Sequence, residues 1–409
     1  SFSETEMEEI LNVNADVSFE ERITDFEYHT HQPYTQSFNN SDEIIIAVQQ
    51  QDICTVPSKS FLYIQGQLVK EGGGKIDIQD LRFVRNGFLH LFDEIKYQLN
   101  GVLIDHVRNP GIVSTLKGYT SFNSDKVKAL QMGGWVLPDA YSAMTDDDGN
   151  FDACIPMDIV MGFFEDYNRI ILQGKHELIL HRSRTDDNCI QILAADANAS
   201  ITLKSIQWKV PYVKVSDEQK LKFLNFIDKG KTAYMAFRSW DLVEYPSLPA
   251  TNKHTWTVKT TSNLEKPRYV ILAFQTNRKN NKSMDNSHFD HCQITNVKLH
   301  LNSDIYPYDD LNIDFSKNHF TILYYMYQHF QHSYYGKPCE PIWSKDKFKT
   351  DAPIIVIDCS RQSEAIKSSS VDIRIELETA DAFKANTTAY ALILHDALVE
   401  YNPLSGLVR

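Results

Sequence analysis

The stretch Ile95–Gly101, Ile-Lys-Tyr-Gln-Leu-Asn-Gly, returns at Val297–Ser303 as Val-Lys-Leu-His-Leu-Asn-Ser, 202 residues further along a chain of 409. Both phrases alternate large apolar and polar residues and close on a turn former. That is the pattern of a half-buried strand entering a tight hairpin. Two further echoes share the spacing. Pro57 and Gln65 frame Phe61-Leu62-Tyr63-Ile64, as Pro267 and Gln275 frame Tyr269–Phe274, 210 residues later. His176–His181, His-Glu-Leu-Ile-Leu-His, is matched by Tyr390–His395, Tyr-Ala-Leu-Ile-Leu-His, 214 residues later. Three matches in one order, with offsets that drift by loop-sized amounts, imply one β-domain present twice.

Taken in order, the chain divides into four. Residues 1–41 read as an arm. Ser3 and Glu6 form a capping box before Met7, Ile10 and Leu11, and polar, turn-rich sequence follows, with too little apolar surface to fold alone. Residues 42–215 carry the first set of strands, beginning at Ile44-Ile45-Ile46-Ala47-Val48. Asn109-Pro110-Gly111 reads as a break, and Ser124–Gln131 as a short helix stopped by Gly133. Residues 216–230 read as a linker helix capped by Ser216 and Gln219. Its Leu221, Leu224 and Ile227, with Phe223 and Phe226 beside them, offer apolar contacts to both neighbours. Residues 231–409 repeat the rhythm, with strands at Thr232–Tyr245, Pro267–Gln275 and Asp290–Tyr306. A helix within Ser316–Gly336 presents Ile322, Tyr325, Met326, His329 and Phe330 on one face. Strands this numerous beside few helices indicate an all-β chain of two tandem antiparallel sandwiches with short helices in loops.

The chemistry is sparse. A net charge of −13 with no basic run argues against a protein that holds nucleic acid by its phosphates. Arg278–Lys282, Arg-Lys-Asn-Asn-Lys, reads as an exposed loop. Gly72-Gly73-Gly74 before Lys75 lacks the Walker spacing and reads as a turn. Asp146-Asp147-Asp148-Gly149 resembles part of a calcium loop, but Met144 and Ile155 stand where ligands are needed, so an acidic tip is expected. His288, Asp290 and Cys292 would share one face of a strand and form the densest group of potential metal ligands. His176-Glu177 lacks the second histidine of a zinc-protease helix, and no Gly-x-Ser-x-Gly elbow is present. The tyrosines at 324, 325, 327, 334 and 335 fit an aromatic helix packed on a sheet or at a subunit contact better than a stacking platform. None of the six cysteines stands in a Cys-x-x-Cys pair, so free thiols are expected. No signal segment opens the chain and no apolar run approaches the roughly 20 residues that span a bilayer. Production inside a cell is therefore expected, with the sequons at Asn39, Asn198, Asn281 and Asn386 unused.

The order of several phrases is familiar. They are Tyr97-Gln98-Leu99-Asn100-Gly101-Val102, the run Pro110–Lys117, Met161–Tyr167, His176–Leu180 and Trp208-Lys209-Val210-Pro211. In the second half they continue with Lys266–Val270, Phe274-Gln275-Thr276, Leu301-Asn302 and Tyr306-Pro307. Together they cover about Asp42 to Pro403, and the sequence resembles the double jelly-roll major capsid proteins of Polinton/Maverick elements and adintovirus-like viruses. The resemblance implies two jelly rolls side by side in each chain and a homotrimer of pseudo-hexagonal outline. Such capsomers would tile an icosahedral shell around double-stranded DNA, with minor or penton capsid proteins as further partners. It implies location in the virion capsid and DNA enclosed without a basic arm. The loops Asp146–Asn150 and Arg278–Ser287 would be outer towers, and no catalytic, cofactor-binding or metal-ligating residue is implied. Two other readings stay open: a non-viral two-domain jelly-roll module that binds carbohydrate or protein, and a hydrolase using paired carboxylates.

Overall fold

A computed structural model describes residues 21–48, 54–136, 140–258, 266–361 and 371–409, and the single residue 13. The first half supplies strands β1 (Ile23–His31), β2 (Glu43–Ala47), β3 (Cys54–Thr55), β4 (Phe61–Lys70), β5 (Leu81–Phe83), β6 (Phe92–Leu99), β7 (Val102–Arg108), β8 (Asn150–Pro156), β9 (Ile171–Leu172), β10 (His176–Arg182), β11 (Ile190–Ile192) and β12 (Ala199–Val215). Helices α1 (Pro110–Ser121), α2 (Ser124–Ala129) and α3 (Gly162–Asp166) lie in its loops, and α4 (Asp217–Asp228) follows it. The second half supplies β13 (Ala233–Tyr245), β14 (Lys253–Val258), β15 (Pro267–Thr276), β16 (Ile294–Leu301), β17 (Asp304–Tyr306), β18 (Ile355–Asp358), β19 (Ile373–Thr379), β20 (Thr387–Asn402) and β21 (Leu407–Val408). Its helices are α5 (Thr321–Tyr335) and α6 (Lys345–Asp351). Among the described residues no helix is long and apolar enough to cross a membrane.

Each half is a sandwich of two antiparallel sheets. One sheet of the first half runs β8-β4-β12-β3-β9, with β1 beside β12, and faces β2-β10-β6-β7. The second half repeats this as β13-β20-β15-β18 facing β14-β19-β16-β17. The duplicated phrase occupies the same hairpin in both. Asn100 and Asn302 take the left-handed conformation, with φ of 51° and 52°. Gly101 follows at φ 78°, completing the two-residue turn for which Asn-Gly is suited. Asn100 Oδ1 accepts from the backbone N–H of Lys175 at 2.9 Å, and Asn302 Oδ1 accepts from that of Asp372 at 3.0 Å. Each asparagine thus ties its turn to the start of the neighbouring strand. Ile95, Tyr97 and Leu99 are fully buried. At about 2 kcal/mol each, a one-residue slip exposing all three would cost more than the hairpin can supply, so the register is fixed.

The third echo is not structural. His176–His181 lies in β10, whose counterpart is β19, whereas Tyr390–His395 lies in β20, the counterpart of β12. The two segments lie in different sheets and differ in burial, His176–His181 alternating while Tyr390–His395 is buried throughout, so the shared Leu-Ile-Leu-His is coincidental. The helix after the first hairpin is also different from the expectation. Pro110-Gly111 starts α1 rather than ending a strand, with Pro in the first turn, where its missing N–H costs nothing. Every residue from Pro110 to Thr120 is buried, so the segment shows no amphipathic period to read. Gly111 and Gly118 let it approach His90 and Trp135 closely.

Within residues 1–41, Ile23–His31 is a strand, antiparallel to β12 from Val215 to Trp208. The proposed capping box at Ser3–Glu6 lies outside the described residues. The linker helix starts as read, with Ser216 Oγ accepting from Gln219 N at 3.3 Å. Its apolar side, however, packs on the first half alone. Ile227, Phe223 and Phe226 meet Cys54, Val56, Leu172 and Val213, while Leu221 stays exposed. The second half meets it at its end, where Asn402 Nδ2 donates to Gly230 O at 3.0 Å. On α5 the buried residues are Leu323, Tyr327, Phe330 and Gln331. Ile322 and Tyr325 are exposed, Met326 and His329 are half-buried with Met326 packed against the core, and Phe330 alone of the expected face is buried.

Candidate functional site

Two surfaces concentrate the chemistry: a sealed junction between the halves and an open groove on the second half. The junction is one hydrophobic core shared by both halves. β13 lies across β7, α1 and α3 of the first half. Phe237 meets Phe163 edge to face at 5.2 Å between ring centroids. Trp240 is fully buried, with the Lys117 ammonium 4.7 Å from its ring centroid. A Cβ added to Gly162 would fall 1.6 Å from the Arg238 carbonyl oxygen, so only glycine permits this approach.

Charges are buried in the same seam. Lys117 donates to Glu165 at 3.1 Å and to the Tyr335 hydroxyl of α5, and Tyr335 also donates to Glu165 at 3.0 Å. Burial pushes the Lys117 ammonium below the usual lysine range, and Glu165 works against that. Asp105 on β7 accepts from Ser239 Oγ at 2.6 Å, from Phe163 N at 3.1 Å and from His106 N at 2.9 Å. Burial outweighs these donors and raises its carboxyl to about 7. Beside it, Asp241 accepts from His395 and faces His106 at 3.8 Å. Removing either partner of such a buried pair leaves an uncompensated charge, so these contacts lock the halves in one arrangement.

The loop Arg278–Ser287 is tied into this lock. Arg278 forks onto Asp290, with both N···O distances 3.0 Å. Asn280 and Asn188 exchange two hydrogen bonds, of 2.8 and 3.0 Å. Lys282 pairs with Asp187 at 3.4 Å, and Lys279 with Glu244 at 2.9 Å. No phosphate contact is needed to explain these cations.

The other nominated residues do not converge. The strand expected from Asp290 starts at Ile294. Ahead of it His288 turns to Asp285 at 3.5 Å, Asp290 to Arg278, and Cys292, at φ 50°, to Thr276 at 3.8 Å. Asp146 spends its carboxylate on its own loop, accepting from Asp148 N, Asn150 N and Asn150 Nδ2 at 2.8–3.1 Å. Among the described residues no group of three or more His, Cys, Asp or Glu is placed to hold a metal. The six cysteines form no disulfide.

The groove on the second half has a volume of about 600 Å³ and is predominantly apolar. Tyr306, Pro307 and Tyr308, at and just after β17, form one wall. Ile322, Tyr325, Met326 and His329 on α5 form the other, over a floor that includes Tyr269 and Val356. Tyr325 is 52% exposed and Tyr308 89%. Sequence reasoning named the α5 residues as one face of a helix, with the tyrosines packed on a sheet or at a subunit contact. Their joining with residues 306–308 needs the fold, although Tyr-Pro-Tyr in a polar stretch was a visible sign.

Comparison with solved structures places the whole chain. A chain of the Sputnik virophage aligns with a TM-score of 0.62 at 10% identity, covering 98% of this chain and 91% of that one. The Faustovirus major capsid protein aligns at 0.61 and 9% identity, covering 98% and 94%. The mavirus major capsid protein aligns at 0.59 and 13%, covering 98% and 92%. At such identities the likeness is one of fold. A search of curated protein sequences found no match. The double jelly roll-like domain family matches residues 81–399, which span both halves and the junction between them. The chain belongs to the double jelly roll-like domain family.

Proposed function

We propose that the chain is the major capsid protein of a double-stranded DNA virus or virus-like element. Three copies associate into a pseudo-hexagonal capsomer, and capsomers tile an icosahedral shell. The observation that carries this reading is the duplicated sandwich locked into one body. It gives a threefold assembly six similar blocks. The fold likeness to the major capsid proteins of Faustovirus and mavirus supports it. The absence of a catalytic role follows from the same reading, as do a place in the virion and contacts with minor or penton proteins. The acidic charge suits a shell that encloses DNA without gripping it.

Light scattering on the purified chain, with negative-stain electron microscopy of the same sample, tests it. A particle of three times 47.1 kDa with a hexagonal outline, or closed shells of it, is the expected result. A monomer at every concentration, salt and pH tried would overturn it.

A further inference from the structure

We propose that the groove beside α5 binds strand β1 of a second copy, so that chains join by the kind of contact that joins the halves within one chain. This rests on the capsid reading and names its interface. The internal junction supplies the pattern. In the first half a receptacle lies between the second strand of the hairpin, β7, and the helix that follows it, α1, with α3 beside them. β13 of the second half fills it with Trp240. In the second half the same pair of elements is β17 with its following turn and α5, and between them the groove is open.

The counterpart of β13 is β1. Each is the strand that pairs with the longest strand of its sheet, β20 or β12, on the side away from β15 or β4. The register makes the match specific. Aligning Leu62 with Leu272 sets their partners Trp208 and Ala391 together. Three residues on, Pro211 then falls on Leu394, and these pair with Tyr28 and Trp240. Tyr28 therefore stands where Trp240 stands, and Phe26 where Arg238 stands. Trp240 is fully buried, whereas Tyr28 is 48% exposed and Phe26 44%. Two exposed aromatics on a strand edge are the missing plug, and the groove is the empty socket. Plug and socket lie on different halves, so the contact is heterologous and closes into a ring when three chains supply six halves.

The test uses the full chain with the exposed Cys339 replaced, Cys339→Ser, as background. Tyr28→Cys and Tyr325→Cys chains are mixed and treated with a short bismaleimide. The expected product is a covalent dimer in the mixture and far less in either variant alone, and covalent trimers when both cysteines are on one chain. A second pair of variants, Phe26→Ser with Tyr28→Ser and Ile322→Ser with Tyr325→Ser, changes only partly exposed side chains. Circular dichroism should stay unchanged while the trimer dissociation constant rises roughly a hundredfold or more, as when buried aromatic anchors are removed. Trimers that persist in both serine variants without the mixed cross-link would overturn this interface and leave the capsid reading standing. Cross-links confined to like cysteines would overturn the head-to-tail geometry. A wild-type monomer at all concentrations would overturn both.

Discussion

Asp105 gives the junction a pH dependence that can be calculated. Its carboxyl titrates near 3.8 when free and at about 7 in the folded chain, because burial between β7 and β13 disfavours the anion. The folded state therefore holds a proton that the unfolded state has lost over that interval. The group's contribution is fully present below about pH 4 and is lost as pH rises towards 7. A shift of this size corresponds to ~4 kcal/mol. A chain of 409 residues unfolds with an entropy of about 0.9 kcal/mol/K, so the loss amounts to about 5 °C in Tm. Asp105→Asn removes the titration. The amide also turns a donor towards Phe163 N–H or Ser239, a fixed cost of about 1–3 kcal/mol. Asp241, His395 and His106 face the same site and remain in the variant, as do all other titrations. The measurement is the difference in Tm between variant and wild type, by scanning calorimetry from about pH 4.5 to about 8. That difference should begin negative and rise by about 4 °C between about pH 4.5 and about 8, the remainder lying below that range. A flat difference curve would mean that the carboxyl is ionised throughout, with its three donors outweighing burial. A falling curve would reverse the reasoning altogether.

Three other perturbations have defined outcomes. Gly162→Ala must push the Arg238 carbonyl away and part the halves; a loss of about 1–3 kcal/mol is expected in the melt, with new protease cleavage between the halves and sheet content retained. Asn302→Ala removes one side-chain bond and Asn100→Ala two, since Asn100 Nδ2 also donates to Gly406 O at 3.0 Å; each leaves a left-handed turn without its favoured residue, so both should cost about 1–3 kcal/mol with Asn100→Ala the costlier, and a greater loss for Asn302→Ala in denaturant titrations would argue against equivalent hairpins. Burial holds His31 and His90 at about 4 and His176 at about 3, so all three are neutral in the fold. Their contribution is present above about pH 6.5 and is lost as acid charges them in the unfolded chain; stability should fall steeply below pH 6, and His176→Gln should reduce that slope.

The architecture was readable where local pattern and burial agree. The hairpin phrase alternates because one face of β6 and of β16 is buried, and Asn is there because the turn demands a left-handed residue. The His-Glu-Leu-Ile-Leu-His echo misled for the same reason: any strand with an apolar face draws on the same few residues. α1 was invisible because a helix buried on all sides has no polar face, and Pro-Gly signals a break unless the Pro is at a first turn. The α5 stripe was seen, but sequence does not say which side faces the core, since Ile322 and Tyr325 are as apolar as Leu323 and Tyr327. What distinguishes them is whether another surface covers them. The groove and the junction were not legible at all. Residues such as Asp105 and Ser239, or Tyr306 and Tyr325, come together only through the fold, and Arg278–Lys282 looked exposed until Asp290 and Asp187 were placed beside it.

The aromatic seam also bears on ancestry. In a symmetric ancestor made of single sandwiches, every copy would both insert a strand and receive one. In the fused chain the first half receives β13 internally, and Trp240 and Phe237 have specialised to that one socket. A half released from its tandem mate would expose Phe163, Lys117 and Tyr119 on one side, or Phe237, Trp240 and Trp343 on the other. Duplication has thus become one-way, because neither product can return to independent life. Freed from matching each other, the two copies can drift apart everywhere except where the backbone itself dictates the residue. The one turn that still reads alike in both, at Asn100 and Asn302, is such a place.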